Sequence, residues 1–193
     1  MTEEFNPRAI KLIVGLGNPG RRYRFTYHNA GRLAALTLAG VPESKFRATK
    51  NFRAYRGAHH TFIIPDTFMN ESGRAVAEAL RVHRVKPDAC LIIHDDTDLP
   101  LGASDLAFAR GSAGHHGVES IVKVLGTKDF WRLRIGVRTS PPTATRTRLV
   151  FDSSKRVKAG TFVLRPMPRV ARETVLALAE KFRDRLTPTP TGE

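Results

Sequence analysis

Ile10-Lys11-Leu12-Ile13-Val14-Gly15-Leu16-Gly17-Asn18-Pro19-Gly20, followed by Tyr23 and then by Thr26-Tyr27-His28-Asn29-Ala30-Gly31, is the stretch that decides the fold of this chain. Ile10–Leu16 is an apolar run of the kind that forms a buried strand, and Gly31–Ala39 carries Leu33 and Leu36 at helical spacing. A strand, a glycine-rich loop and a helix in that order open an α/β fold, which places its chemistry in loops leaving the carboxyl ends of strands. His28 lies in that loop with Asn18 and Asn29. An imidazole among amides, with no cysteine nearby, suits general-base work better than metal binding.

Outward from this stretch, strands and helices alternate. Phe62–Ile64 and Leu91–Ile93 read as further buried strands, with Phe52–Tyr55 paired to the former across the turn Gly57–His60. Ser104–Ala109 and Leu133–Val137 alternate in polarity and read as strands too. Helical spacing marks Gly73–Val85, the run Val118/Ile121/Val122/Leu125, and a last helix with Ala171, Val175, Leu178 and Phe182 on one face. The order β-α-β-β-α-β-β-α-β-α predicts an α/β fold: a single three-layer α/β/α domain over residues 1–186 with a mixed, mostly parallel twisted sheet. Residues 187–193 read as a frayed tail, and residues 139–159 as a long basic loop.

The 193 residues carry 32 Lys and Arg against 18 Asp and Glu, a net charge of +14. The excess is uneven: residues 1–60 hold 11 basic and 3 acidic groups, residues 61–120 hold 5 and 9, and residues 121–193 hold 16 and 6. Two basic flanks around an acidic centre form the electrostatic footprint of a polyanion partner. No apolar run reaches the ~18 residues of a membrane span, and the acidic start reads as neither signal nor transit peptide. The lone Cys90, in an apolar run, reads as a small buried hydrophobe and excludes an intrachain disulfide, which fits the cytoplasm.

Four segments can carry chemistry. Gly15-x-Gly17-x-x-Gly20 matches a dinucleotide fingerprint by letter, but that motif needs a helix at its third glycine, and here Pro19-Gly20-Arg21-Arg22 continues as loop. Asn70, in Phe68-Met69-Asn70-Glu71-Ser72-Gly73, reads first as a helix N-cap and second as an amide placed to bond a substrate. His94-Asp95-Asp96-Thr97-Asp98 matches no hard-metal ligand spacing, and one of its carboxylates can orient a histidine from another loop. Gly111-Ser112-Ala113-Gly114-His115-His116-Gly117 opens a helix N-terminus, where the histidine pair reads as capping or surface residues. His59-His60, in a turn, reads as surface. All four segments fall at strand ends or helix starts.

Taken in order, Val14–Gly20, Tyr23, His28-Asn29-Ala30-Gly31, Phe68-Met69-Asn70-x-Ser72-Gly73, His94-Asp95-Asp96-x-Asp98-Leu99-Pro100-x-Gly102, Gly114-His115-x-Gly117 and Arg132-Leu133-Arg134-Ile135-Gly136 resemble the bacterial-type peptidyl-tRNA hydrolase family. The resemblance implies hydrolysis of the ester joining a peptide to the tRNA 3′ ribose. It implies His28 as the base that activates water, Asp95 as the carboxylate that orients it, and Asn18 as the group that distinguishes blocked from free aminoacyl ends. It further implies a substrate site lined by Tyr23, Phe68, Met69, Asn70 and His116, with Arg134 facing tRNA; Arg110 and the basic 139–159 loop are expected to bind tRNA in place of the lysines missing at Asp105 and Ala107. No metal or organic cofactor is expected. The expected partner is peptidyl-tRNA, met by a monomer with no membrane.

Three departures stand out. His116 replaces the asparagine usual in the family, Asp105 and Ala107 stand where many members carry lysines, and the glycine-rich stretch reads Ala109-Arg110-Gly111-Ser112-Ala113. The rival to the enzyme is a non-catalytic RNA-binding homologue on the same scaffold. An oxidoreductase would rest on the weak glycine motif alone.

Overall fold

The computed structural model describes residues 4–139 and 162–187. Seven strands form one sheet: β1 (Leu12–Gly15), β2 (Arg47–Ala48), β3 (Phe52–Arg56), β4 (Thr61–Pro65), β5 (Cys90–Pro100), β6 (Ser104–Phe108) and β7 (Trp131–Arg138). Their order is β2-β3-β4-β1-β5-β7-β6. The central strands β4, β1, β5 and β7 are mutually parallel, while β3 and β6 run antiparallel to their neighbours.

Among the described residues, four helices cover the two faces: α1 (Ala30–Ala39), α2 (Ser72–His83), α3 (His116–Leu125) and α4 (Arg169–Leu186). Alternation along the central strands sorts the core. Ile13, Leu91 and Ile93 pack with α1 and α4, whereas Leu12, Val14 and Ile92 pack with α2 and α3. This is the three-layer α/β architecture that the sequence predicts. Cys90 is buried in the second core.

Four local expectations need correction. Residues 47–48 add the short edge strand β2, whose charged and small residues carry no apolar pattern. β5 runs on to Pro100 instead of stopping at Ile93, because β7 continues to pair with it at His94, Asp95 and Asp96. His60 is buried: its Nδ1 lies 2.9 Å from the Ile10 carbonyl oxygen and its Nε2 3.2 Å from that of Leu186, so it ties the segment leading into β1 to the end of α4. Asn70 does not cap α2. It lies within the single 3-10 turn Met69–Glu71, and Glu71 holds the cap position. The basic loop predicted over 139–159 lies, apart from Thr139, outside the described residues, as does the tail beyond Thr187.

Candidate active site

The carboxyl end of the sheet brings the predicted segments together. β1 ends at Gly15, opposite Ile93, while β5 goes on, so Asp95 stands beyond its neighbour's end. Over it lies the 3-10 turn Tyr27–Asn29, which leads into α1 and presents His28. The turn sits this low because Gly31 lacks a side chain: a Cβ there would lie 2.2 Å from the Ile93 carbonyl oxygen. From the other side the turn is held by residues before α4, with the His28 amide donating to the Val163 carbonyl (2.8 Å).

His28 and Asp95, the pair that the family resemblance implies, lie side by side. His28 Nδ1 lies 2.9 Å from Asp95 Oδ1, and both residues are buried, at 8% and 2% exposure. Burial disfavours the charged imidazolium, but the Asp95 charge and hydrogen bond outweigh it, so the His28 pKa is raised above 6.5. Burial works against the Asp95 carboxylate too, and the two neighbouring imidazoles more than offset it, holding its pKa well below the usual range. With Nδ1–H donating to a carboxylate, the His28 Nε2 lone pair is left as the proton acceptor.

The sequence reading missed a partner. His115 caps α3, its Nδ1 accepting the amides of Gly117 (3.1 Å) and Val118 (3.3 Å). That fixes the proton on Nε2, which donates to the same Asp95 Oδ1 at 3.0 Å. One carboxylate oxygen therefore holds two imidazoles. His94, whose ring centroid lies 4.6 Å from that of His115, is fully buried; burial first, then the neighbouring His115, push its pKa well below 6.5. His94 is a neutral wall behind the pair. The capping position of His115 was legible, but its second contact needed Asp95 to be carried past the end of β1.

Asn18 is locked in orientation. Its amide N–H donates to Asn29 Oδ1 (2.8 Å), its carbonyl accepts from Asn29 Nδ2 (3.0 Å), and its Oδ1 accepts the Met69 amide (2.8 Å). The remaining group, Nδ2, is a donor at a cleft of about 320 Å³. Tyr23, His28, Phe68, Met69, Asn70, Asp95 and His116 also line this cleft. The Tyr23 and Phe68 rings meet edge to face at 6.2 Å, and Asn70 is exposed beside them.

Of the two arginines expected to face tRNA, Arg134 is placed differently from expectation. Arg134 is 3% exposed, with Nε donating to Asp96 Oδ2 (2.7 Å) and Nη1 to Asp105 Oδ2 (2.5 Å). Asp96 and Asp105 thus hold Arg134 inward, and Arg134 does not present its charge at the surface. Arg110 stays exposed, only loosely paired with Asp105 at 3.4 Å. His116 is exposed and bonds Glu119 Oε2 at 3.2 Å, on the rim of the cleft.

His28, Asp95 and His115 also offer three ligand atoms within 4.8 Å of one another. A cation there would have to displace the Nε2 proton of His115 and break both hydrogen bonds to Asp95. The set fits a hydrogen-bonded relay better than a metal centre.

Comparisons with known proteins identify the family. A model of the peptidyl-tRNA hydrolase family matches residues 12–188. A peptidyl-tRNA hydrolase of Nitrosospira multiformis is 46% identical over 134 residues, covering 66% of this chain and 70% of its own. One from a Mycobacterium species (strain KMS) is 38% identical over 179 residues, covering 90% and 86%. The crystal structure of peptidyl-tRNA hydrolase from Acinetobacter baumannii superposes with a TM-score of 0.72 at 28% identity, covering 95% of this chain and 89% of that one. The chain belongs to the peptidyl-tRNA hydrolase family.

Proposed function

We propose that the cleft hydrolyses the ester between a peptide and the tRNA 3′ ribose by water activated at His28. Family membership supports the reaction, hydrolysis of peptidyl-tRNA by a carboxylic ester hydrolase. The observation that carries the mechanism is the 2.9 Å contact between His28 Nδ1 and Asp95 Oδ1, which leaves Nε2 as the free base.

Water attacks the ester carbonyl carbon while its proton passes to His28 Nε2, and the resulting imidazolium is stabilised by Asp95. The intermediate collapses with cleavage of the bond to the 3′ oxygen, which takes the proton back from His28. Free tRNA and a peptide carboxylate leave. A general base supplies ~10²–10⁴-fold. Asn18 Nδ2 and the Asn70 amide are the donors for the oxyanion or the substrate peptide group, and such a donor is worth ~10²–10³-fold. The Tyr23 and Phe68 rings give the cleft an apolar wall.

The reaction needs no redox partner, and residues 1–186 would act as one catalytic domain, as a monomer in the cytoplasm. No helix among the described residues is long and apolar enough to cross a membrane. Release of an N-acetylated amino acid from its tRNA tests the reading. His28→Ala is expected to slow release by at least about 10²-fold. Equal rates would remove His28 as the base, and no release by the native chain would favour the non-catalytic RNA-binding homologue.

A further inference from the structure

The inward turn of Arg134 leaves open where the substrate's phosphates are met. We propose that the surface formed by residues 21–25 and 162–172 receives the RNA phosphates of the nucleotides next to the esterified 3′ end. The proposal deepens the hydrolase reading and rests on it.

These two segments hold six arginines (21, 22, 24, 165, 169 and 172) and no carboxylate. The backbone brings them together. The Met167 amide donates to the Phe25 carbonyl (2.7 Å), the Tyr27 amide to that of Arg165 (3.2 Å), and the His28 amide to that of Val163 (2.8 Å). Thr26 and Pro166 form an antiparallel bridge between them. The same hydrogen-bonded ribbon therefore carries the arginines and the proposed base.

Two features distinguish this surface from a merely solvated one. Among the described residues, no carboxylate pairs with Arg21, Arg22, Arg24, Arg165 or Arg172; only Arg169 is paired, with Glu173 at 2.7 Å. Several guanidiniums are also held in place by rings. Arg172 lies 4.5 Å from the centroid of Phe25, Arg24 lies 5.1 Å from it, and Arg22 lies 4.5 Å over Tyr23 and donates to its hydroxyl. Phe25 is itself 40% exposed, and the guanidiniums over its ring present planes on which an unpaired base can stack. Pinned, unneutralised guanidiniums lose little freedom on meeting a phosphate.

The position selects the occupant. Tyr23, Val163 and Leu164 belong both to this ribbon and to the wall of the cleft, so the arginines begin where the cleft ends. An ester seated at His28 places its own ribose in the cleft and the nucleotides preceding it on the ribbon. Unpaired RNA satisfies both the charge and the stacking planes.

The test changes Arg21, Arg24, Arg165 and Arg172 together in the full chain, once to Gln and once to Lys, and measures binding of deacylated tRNA across a salt series. The Gln variant is expected to bind roughly ten- to a hundredfold more weakly near 0.1 M salt, with the slope of log K against log[salt] shallower by about 2–3. The Lys variant keeps most of the slope, because it keeps the charge. Equal affinity and slope in the native chain and the Gln variant would overturn the proposal. Should the fourfold Gln change melt the protein, Arg21→Gln and Arg165→Gln singly carry the test, each expected to lower the slope by about 0.7 and each overturning the proposal if it does not. A native chain that binds tRNA with a steep slope but releases no amino acid would sink the hydrolase reading instead.

Discussion

Asp95 Oδ1 accepts hydrogen bonds from two imidazoles, and the consequences at the residue scale follow from that sharing. Asp95→Asn keeps the volume but removes the charge, and it lets His28 adopt the tautomer whose Nε2 carries the proton. Turnover is expected to fall by about 10²–10⁴-fold, with the His28 pKa dropping as its electrostatic support is lost. A release assay together with an NMR titration of the ring checks both. His115→Ala removes one donor from the carboxylate, which then attracts the His28 imidazolium more strongly. The acid limb of the rate profile should move to higher pH, an effect that a purely structural role for His115 would not produce. His94 and Asp95 both have depressed values, so their share of stability is present in neutral solution and lost in acid, below 6.5 for His94 and below the ordinary carboxylate range for Asp95. The raised His28 acts oppositely: its share is present below 6.5 and is lost as pH rises through its folded value.

Among elements, the decisive one is β5. Its first part, Leu91–Ile93, was legible as an apolar run, but His94-Asp95-Asp96 reads as a loop because a strand is not expected to bury two carboxylates. The strand persists there because its charges are met from elsewhere: His28 and His115 at Asp95, and Arg134 at Asp96. None of these partners is near in sequence, which is why the extension escaped a local reading. The helix starts are constrained by equally short distances. Gly31→Ala puts a methyl 2.2 Å from the Ile93 carbonyl oxygen and must lift the start of α1, with His28 on the turn before it. A loss of about 1–3 kcal/mol in denaturant unfolding is expected, together with slower release. His115→Ala also costs α3 its cap, on the order of 1 kcal/mol by the same measurement.

At the scale of the whole molecule, the +14 charge supports polyanion binding, and the structure gives it a more specific form. The hydrophobic pattern carried the layers and the helices, and placed the segments of residues 18, 28, 70 and 95 at strand ends or helix starts; their grouping into one site came from the family resemblance. Neither carried the fate of individual arginines. Arg134 and Arg24 look alike as letters, yet the first faces Asp96 and Asp105 and the second a phenylalanine ring. Only the cross-strand register, with Arg134 opposite Asp105, separates them. Binding of tRNA is accordingly expected to weaken steeply with salt; a flat salt response in a filter-binding assay would contradict an electrostatic footprint.

The proposed hydrolysis depends on a neutral His28 that takes a proton from water. The most direct measurement is the pH dependence of single-turnover release of an N-acetylated amino acid from tRNA, alongside an NMR titration of the His28 ring in the same buffer. The predicted result is a rate that falls tenfold per pH unit on the acid side, with a midpoint above 6.5 that coincides with the ring's own titration. A rate that stays constant while the ring becomes protonated would contradict it.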